Sequence, residues 1–143
     1  MTSLPPVPVY ARRIRFDEID AAGVMYFARI IHLAHEAIEH TYWTLGWPIS
    51  RQFAELDAGM PILEAHASFR RPLRLDDEVQ VVVLRKAMAE KTVDLTVQVR
   101  LDDAVAAVID LTLCCVTRGF KSTPLPDSLR LVFAALKQAA AAP

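Results

Sequence analysis

The spacing of apolar residues changes period along the chain, and each change marks an element. Val7 to Phe16 mixes β-branched and aromatic residues with arginines after a Pro-rich lead-in, which predicts a first strand. Asp17 to Gly23 is polar and turn-like. From Gly23 to Leu45 the spacing becomes helical, and Gly46 with Pro48 supplies the stop. On a helical wheel Val24, Ala28, Ile31, His35, Ile38 and Tyr42 lie within about 40° of one line. Arg29, His32, Glu36, Glu39 and His40 fall toward the other side. A dry stripe with His35 in its middle is the expectation.

Beyond a loop or short helix over Arg51 to Gly59, a period of two takes over. Leu63, Ala65, Ala67 and Phe69 alternate with Glu64, His66, Ser68 and Arg70. Val79 to Leu84 is almost wholly apolar, as a strand covered on both faces would be. Val93, Leu95, Val97, Val99 and Leu101 alternate with Asp94, Thr96, Gln98 and Arg100. Ala104 to Arg118 reads as a long apolar strand holding Asp110 and Thr112. Turns fall at Arg71 to Asp77, Ala87 to Lys91 and Leu101 to Asp103, and Leu129 to Lys137 can form a short amphipathic helix. The fold class is α+β: an antiparallel sheet of about five strands wrapped around one long central helix. The Ile31 and Ile38 stripe would bury against the Leu63 and Leu95 faces. Exposed strand edges on such a sheet predict pairing with another copy.

At 143 residues the chain fits one domain, 1–143, with 1–6 and 138–143 expected to be flexible tails. With 53% hydrophobic and 23% charged residues the composition is that of a globular protein. Basic and acidic residues number 16 and 17, for a formal net charge of −1. That balance argues against broad nucleic-acid binding and leaves room for a local basic patch. No apolar run approaches the ~20 residues of a membrane span. The N-terminus lacks the basic and apolar regions of a signal peptide. Cys114 and Cys115 are adjacent, so on a strand they point to opposite faces and do not bridge. With no disulfide framework, a cytoplasmic location is expected.

The densest chemistry lies in Phe16-Asp17-Glu18-Ile19-Asp20-Ala21-Ala22-Gly23-Val24-Met25-Tyr26-Phe27, where three carboxylates precede the helix. One reading is capping, in which acids satisfy orphan N–H donors at the positive helix end. The other adds a substrate. Free N–H groups at a helix start can hold a carbonyl oxygen as it becomes negative. A nearby carboxylate could attack the carbonyl or activate water. Gly23 would let the backbone approach a substrate closely. The residues alone leave both readings open.

The run Asp20-Ala21-Ala22-Gly23-Val24-Met25-Tyr26-Phe27, after Phe16 and Glu18, resembles the signature of hotdog-fold thioesterases of the 4-hydroxybenzoyl-CoA thioesterase type. The likeness extends from Tyr10 to Pro126. It takes in Gly59-Met60-Pro61-Ile62, the His66-Ala67-Ser68-Phe69 strand and the Pro72 to Asp77 turn. It implies hydrolysis of an acyl-CoA thioester, with Asp20 as nucleophile or general base and the backbone N–H near Phe27 polarising the thioester carbonyl. Glu18 stands where the family often has Asp, a position that looks structural. Tyr26 and Phe27 become pocket-wall candidates.

The resemblance also implies CoA binding across a subunit boundary. Lys91 and Thr92 match a Lys-Ser pair at the nucleotide, and Arg70, Arg71, Arg118 and Lys121 are further basic candidates. A homodimer assembling to a homotetramer is implied. The acyl pocket would include Gly23, Tyr26, His35, Met60 and His66. The run Ala34-His35-Glu36-Ala37 is similar to the 1,4-dihydroxy-2-naphthoyl-CoA thioesterases of quinone biosynthesis. A hydroxylated aromatic acyl group follows, dihydroxynaphthoyl ahead of hydroxybenzoyl. The alternatives are a short- or medium-chain aliphatic acyl-CoA or acyl-carrier substrate, and a non-hydrolytic acyl-CoA-binding module. No cofactor is expected beyond the CoA of the substrate. No metal is expected either, since His32 and His40 point about 60° or more away from His35 on the wheel.

Overall fold

The computed structural model describes residues 9–140. The five strands are β1 (Tyr10–Arg13), β2 (Ile62–Phe69), β3 (Glu78–Met88), β4 (Thr92–Leu101) and β5 (Ala104–Cys114). They form one antiparallel sheet in the order β1-β3-β4-β5-β2. Helix α1 (Phe27–Thr44) lies against β3, β4 and β5. A single turn, α2 (Ile49–Arg51), runs into a π-helical turn at Gln52–Leu56, and α3 (Asp127–Ala134) closes the chain.

Strand β4 follows its sequence pattern closely: Val93, Leu95, Val97 and Val99 are all buried, and the residues between them are half-buried. Registered opposite are Val81 and Val83 on β3 and Ala107, Ile109, Leu111 and Leu113 on β5, so one face of the sheet is a continuous apolar floor. On the other face cross-strand pairs hold the polar residues. Thr96 donates to Asp110 at 2.7 Å and Thr112 to Asp94 at 2.8 Å.

Several boundaries differ from expectation. The first strand is only Tyr10–Arg13, because Ile14 and Arg15 already turn into a 3-10 segment, Phe16–Glu18. The helix begins at Phe27 rather than Gly23. It ends as predicted: Gly46 has φ +85°, its N–H donates to the Trp43 carbonyl, and the Trp47 N–H donates to Tyr42. That is a Schellman motif. Strand β3 is covered on one face only, with Gln80 exposed between buried Val79 and Val81. Gln138 and Ala139 do not form a loose tail, since they pair with Arg85 and Lys86. Residues 1–6 and 141–143 lie outside the described residues.

The helix phase is the largest correction. The buried residues of α1 are Ile30, Leu33, Ala34, Ala37, Ile38, Thr41 and Tyr42, a stripe rotated about 100° from the one expected. Ala28 is exposed and His35 sits at the stripe's margin. Of the set centred on His35, Ile38 and Tyr42 join the buried stripe, while Val24 and Ile31 are half-buried.

Strand β2 contradicts its pattern more sharply. It is an edge strand, and Leu63, expected in the core, is 61% exposed. Within this chain only Ala67 among its residues is even half-buried.

Candidate active site

The acidic turn is built differently from a helix cap. Tyr26 is the N-cap residue of α1 and no side chain caps it. Glu18 is 4% exposed and belongs to a buried ion pair: Arg12 donates to both its oxygens, at 2.7 and 2.5 Å, and also to Glu36 on α1 at 2.8 Å. The Arg15 N–H donates to the same carboxylate. Hydrogen bonding from Arg12 holds the Glu18 carboxyl below the usual carboxylate range, against the opposing effect of burial. Arg12 thus rivets the 3-10 segment to the helix, and the position is structural, as its place in the sequence suggested.

Asp20 caps its own turn. Its Oδ1 accepts the N–H groups of Ala22 at 2.9 Å and Val24 at 3.4 Å, an Asx-type arrangement. The turn is closed by Asp20 N–H to the Val24 carbonyl and Gly23 N–H to the Asp20 carbonyl. Gly23 has φ +83° with open space where a Cβ would stand, so the turn's left-handed backbone requires glycine rather than any close approach within this chain. Asp20 Oδ2 accepts no hydrogen bond from the described residues. An Ile19–Met25 bridge and the Tyr26 N–H donated to Glu18 bind the turn to the start of α1. There the backbone N–H groups of Phe27 and Ala28 have no partner among the described residues. The rings of Tyr26, Phe27 and Phe69 cluster beside them, with centroids 4.9 and 6.2 Å apart, and Phe27 remains 53% exposed.

A cavity of about 360 Å³ opens at the other half of the helix. His35, Ile38 and Tyr42 form its helix wall. Gln52 and Phe53 come from the π-helical turn, Met60 and Ile62 from the approach to β2, and Leu113 and Arg118 from the end of β5 and beyond. His35 and Met60 therefore line the same cavity. His35 Nε2 is already engaged by Glu39 at 3.0 Å, and its side chain is 44% exposed. Gly23, Tyr26 and Asp20 do not line this cavity. His35 lies eight residues past Phe27, about 12 Å along the helix axis, so the acidic turn and the cavity occupy opposite ends of α1.

His66 is a correction. It registers with Asp110, whose side chain lies on the outer sheet face, so His66 and Glu64 sit away from the helix beside Lys86 and Asp94. Among the basic candidates, Lys91 and Thr92 flank the β3–β4 turn, and Arg118 and Lys121 follow β5 at the same end of the sheet. The Arg118 guanidinium donates to the Phe53 carbonyl, and its backbone N–H donates to Asp57. Arg70 is at the opposite end, bonded to the Ala106 carbonyl, roughly 30 Å away along β5. One chain cannot gather these five residues. No group of three or more metal-binding side chains occurs among the described residues, and no helix of the structure is long and apolar enough to cross a membrane.

Tyr42 and Gln52 were missed as site residues. Both line the cavity, and only the packing of the π-helical turn beside α1 brings them there.

The chain belongs to the thioesterase-like superfamily, whose family model matches residues 14–133. It is 31% identical over 122 residues to the 1,4-dihydroxy-2-naphthoyl-CoA hydrolase of Microcystis aeruginosa, a match covering 85% of this chain and 88% of that protein. A gentisyl-coenzyme A thioesterase of known structure is 27% identical, with a TM-score of 0.78 over 86% of this chain and 99% of the other. The hotdog fold is shared with the 1,4-dihydroxy-2-naphthoyl-CoA thioesterase from Synechocystis, at TM-score 0.81 and 19% identity over 88% and 94% of the two chains.

Proposed function

We propose that the protein hydrolyses a hydroxylated aromatic acyl-CoA to the free acid and CoA, with 1,4-dihydroxy-2-naphthoyl-CoA as the leading substrate and 4-hydroxybenzoyl-CoA next. One observation carries the chemistry: a carboxylate with a free oxygen is fixed by its own turn to a helix start whose first N–H groups have no partner. The thioester oxygen accepts from the Phe27 N–H, which stabilises the negative charge formed on attack. Asp20 acts as general base, taking a proton from water as its oxygen adds to the carbonyl carbon, or as nucleophile, forming an anhydride that water then opens. Either way the C–S bond breaks and the CoA sulfur leaves, ending as the thiol. The named substrates of the relatives, both dihydroxylated aromatic acyl-CoAs, support the acyl assignment.

The working site belongs to two copies. Strand β2 is a long exposed edge, and antiparallel pairing of two β2 strands about a two-fold axis would set Phe69 of one copy beside Ile62 of the other. That arrangement brings Asp20, Tyr26 and Phe27 of one copy to the cavity of its mate and covers the exposed aromatic cluster. It also brings Arg70 toward the other copy's Arg118 and Lys121, which with Lys91 and Thr92 form the proposed CoA phosphate site. The sheet then wraps both central helices, and a dimer of this kind is the unit of any tetramer.

Thiol release from 1,4-dihydroxy-2-naphthoyl-CoA, followed with a thiol-reactive dye, tests the reading. Asp20→Asn should lower kcat by about 10²- to 10⁴-fold with KM little changed. Parent-like turnover in that variant would remove Asp20 from the chemistry.

A further inference from the structure

Gly59 is buried just ahead of β2, and its φ lies outside the left-handed region, so the backbone there does not call for glycine. The Phe53 ring does. A Cβ at position 59 would stand 2.7 Å from Cζ and 2.9 Å from Cε1 of that ring, well inside the ~3.5 Å at which carbon atoms meet. Both backbones at this contact are held. The Gly59 N–H donates to the Val116 carbonyl and the Val116 N–H to the Gly59 carbonyl, each at 2.9 Å. The Phe53 carbonyl accepts from the Arg118 guanidinium at 3.1 Å. Asp57, just past the same π-helical turn, accepts the Arg118 N–H at 3.0 Å. The glycine therefore serves as a seat for the far edge of the Phe53 ring.

Phe53 and Gly59 both line the cavity, and Phe53 remains 38% exposed. No aromatic ring or cation among the described residues stacks on Phe53. Ile38 and Leu113, which line the same cavity, are buried in the core and offer only aliphatic contact. We propose that the Phe53 ring, held on its Gly59 seat, is the contact by which the cavity prefers aromatic acyl groups to saturated ones. This rests on the cavity being the acyl pocket of the proposed thioesterase. A flat aromatic acyl group can meet the Phe53 ring edge-to-face or offset-stacked, a contact worth more than the apolar area it covers. A saturated ring of the same carbon skeleton covers similar area and lacks that term. The seat matters because such pairing depends on where the ring stands, and a displaced ring forfeits it.

The test compares 2-naphthoyl-CoA with decahydro-2-naphthoyl-CoA on the whole chain, on Phe53→Leu, on Gly59→Ala and on the double variant. The parent should favour the aromatic ester, and the kcat/KM ratio should fall about fivefold in Phe53→Leu. A merely structural role for Phe53 would lower both rates together and leave the ratio alone. Gly59→Ala, which unseats the ring without removing it, should lower the ratio as well. Added to Phe53→Leu it should lower the ratio no further, since leucine does not reach the seat. Binding of the free acids, 2-naphthoate against decahydro-2-naphthoate, is measured by calorimetry on the same proteins and should follow the same order. A parent that does not distinguish the two skeletons, or a ratio unchanged in Phe53→Leu by both readouts, overturns the proposal. A further fall in the double variant overturns the seat. A parent that releases no thiol from either ester, yet prefers 2-naphthoate and loses that preference in Phe53→Leu, sinks the hydrolytic reading and leaves the Phe53 role standing.

Discussion

The two ends of α1 are unlike. At its N-terminal end the helix meets an acidic turn held by backbone hydrogen bonds, yet the helix's first N–H groups have no partner among the described residues and the aromatic rings beside them are exposed. At its C-terminal half it walls an open-mouthed cavity lined mostly by apolar side chains. The first end has reactive groups and no pocket; the second has a pocket and no carboxylate suited to attack. Neither is a complete enzyme. Helix length keeps them apart within a chain, and the long free edge of β2 is where a second copy can join them. The Arg12–Glu18–Glu36 cluster pins the acidic end, while Phe53 of the π-helical turn and Phe120 beyond β5 line the cavity.

Separating the copies should have the largest effect on this pairing of ends. The protein is expected to sediment as a dimer or a larger assembly. Lysines at Glu64 and Ser68, both exposed on β2, should drive it toward monomer. Thiol release should fall on the order of a hundredfold, as expected when reacting groups lose their mutual placement. Full activity in a sedimenting monomer would place the whole site within one chain.

A second prediction concerns the acidic end alone. Glu18→Gln leaves Arg12 buried without its main partner and should destabilise the fold by about 3 kcal/mol, read by urea unfolding at neutral pH. The sign of the acid response follows from the lowered carboxyl of Glu18. The stability it contributes is present above the unfolded-chain value of about 4.3 and drains away as pH falls through the lower folded value. Parent stability should therefore drop toward pH 3 more steeply than that of the variant. Parallel acid profiles would show that the ion pair does not hold the turn.

The smallest effect is expected at the cavity rim. His35 and Glu39 form an exposed i, i+4 pair, and such pairs contribute little. His35→Ala should shift Tm by less than about 2 °C. A fall of several degrees would show that the His35–Glu39 pair holds the helix.

What the sequence made legible follows what a single chain buries. Strand β4 alternates because its neighbours β3 and β5 are in the same chain, and the stop of α1 was readable because Gly46 supplies a local left-handed residue. The phase of α1 was misread because apolar residues such as Ile31 and Ile38 serve a cavity and open surface as well as the core, and a wheel adds these together. Strand β2 was misread for the same reason: its alternating apolar residues await a face that the chain does not provide. Asp20 was legible through its motif but not its geometry, since nothing in the spacing distinguishes a helix cap from a self-closed turn. His66 needed the register with Asp110 to be turned outward. Tyr42 looked like ordinary core, and the structure keeps it there, with its ring edge-on to Phe133.

Subunit complementation tests the joining of the two ends most directly. Asp20→Asn disables the acidic end, and Met60→Trp fills the cavity; each alone should be inactive. If the two variants are co-expressed and pair at random, half the dimers are mixed and each mixed dimer has one intact site of two. The expected recovery is about a quarter of the parent's specific activity. Activity no greater than the sum of the two variants measured separately would contradict a site shared between copies.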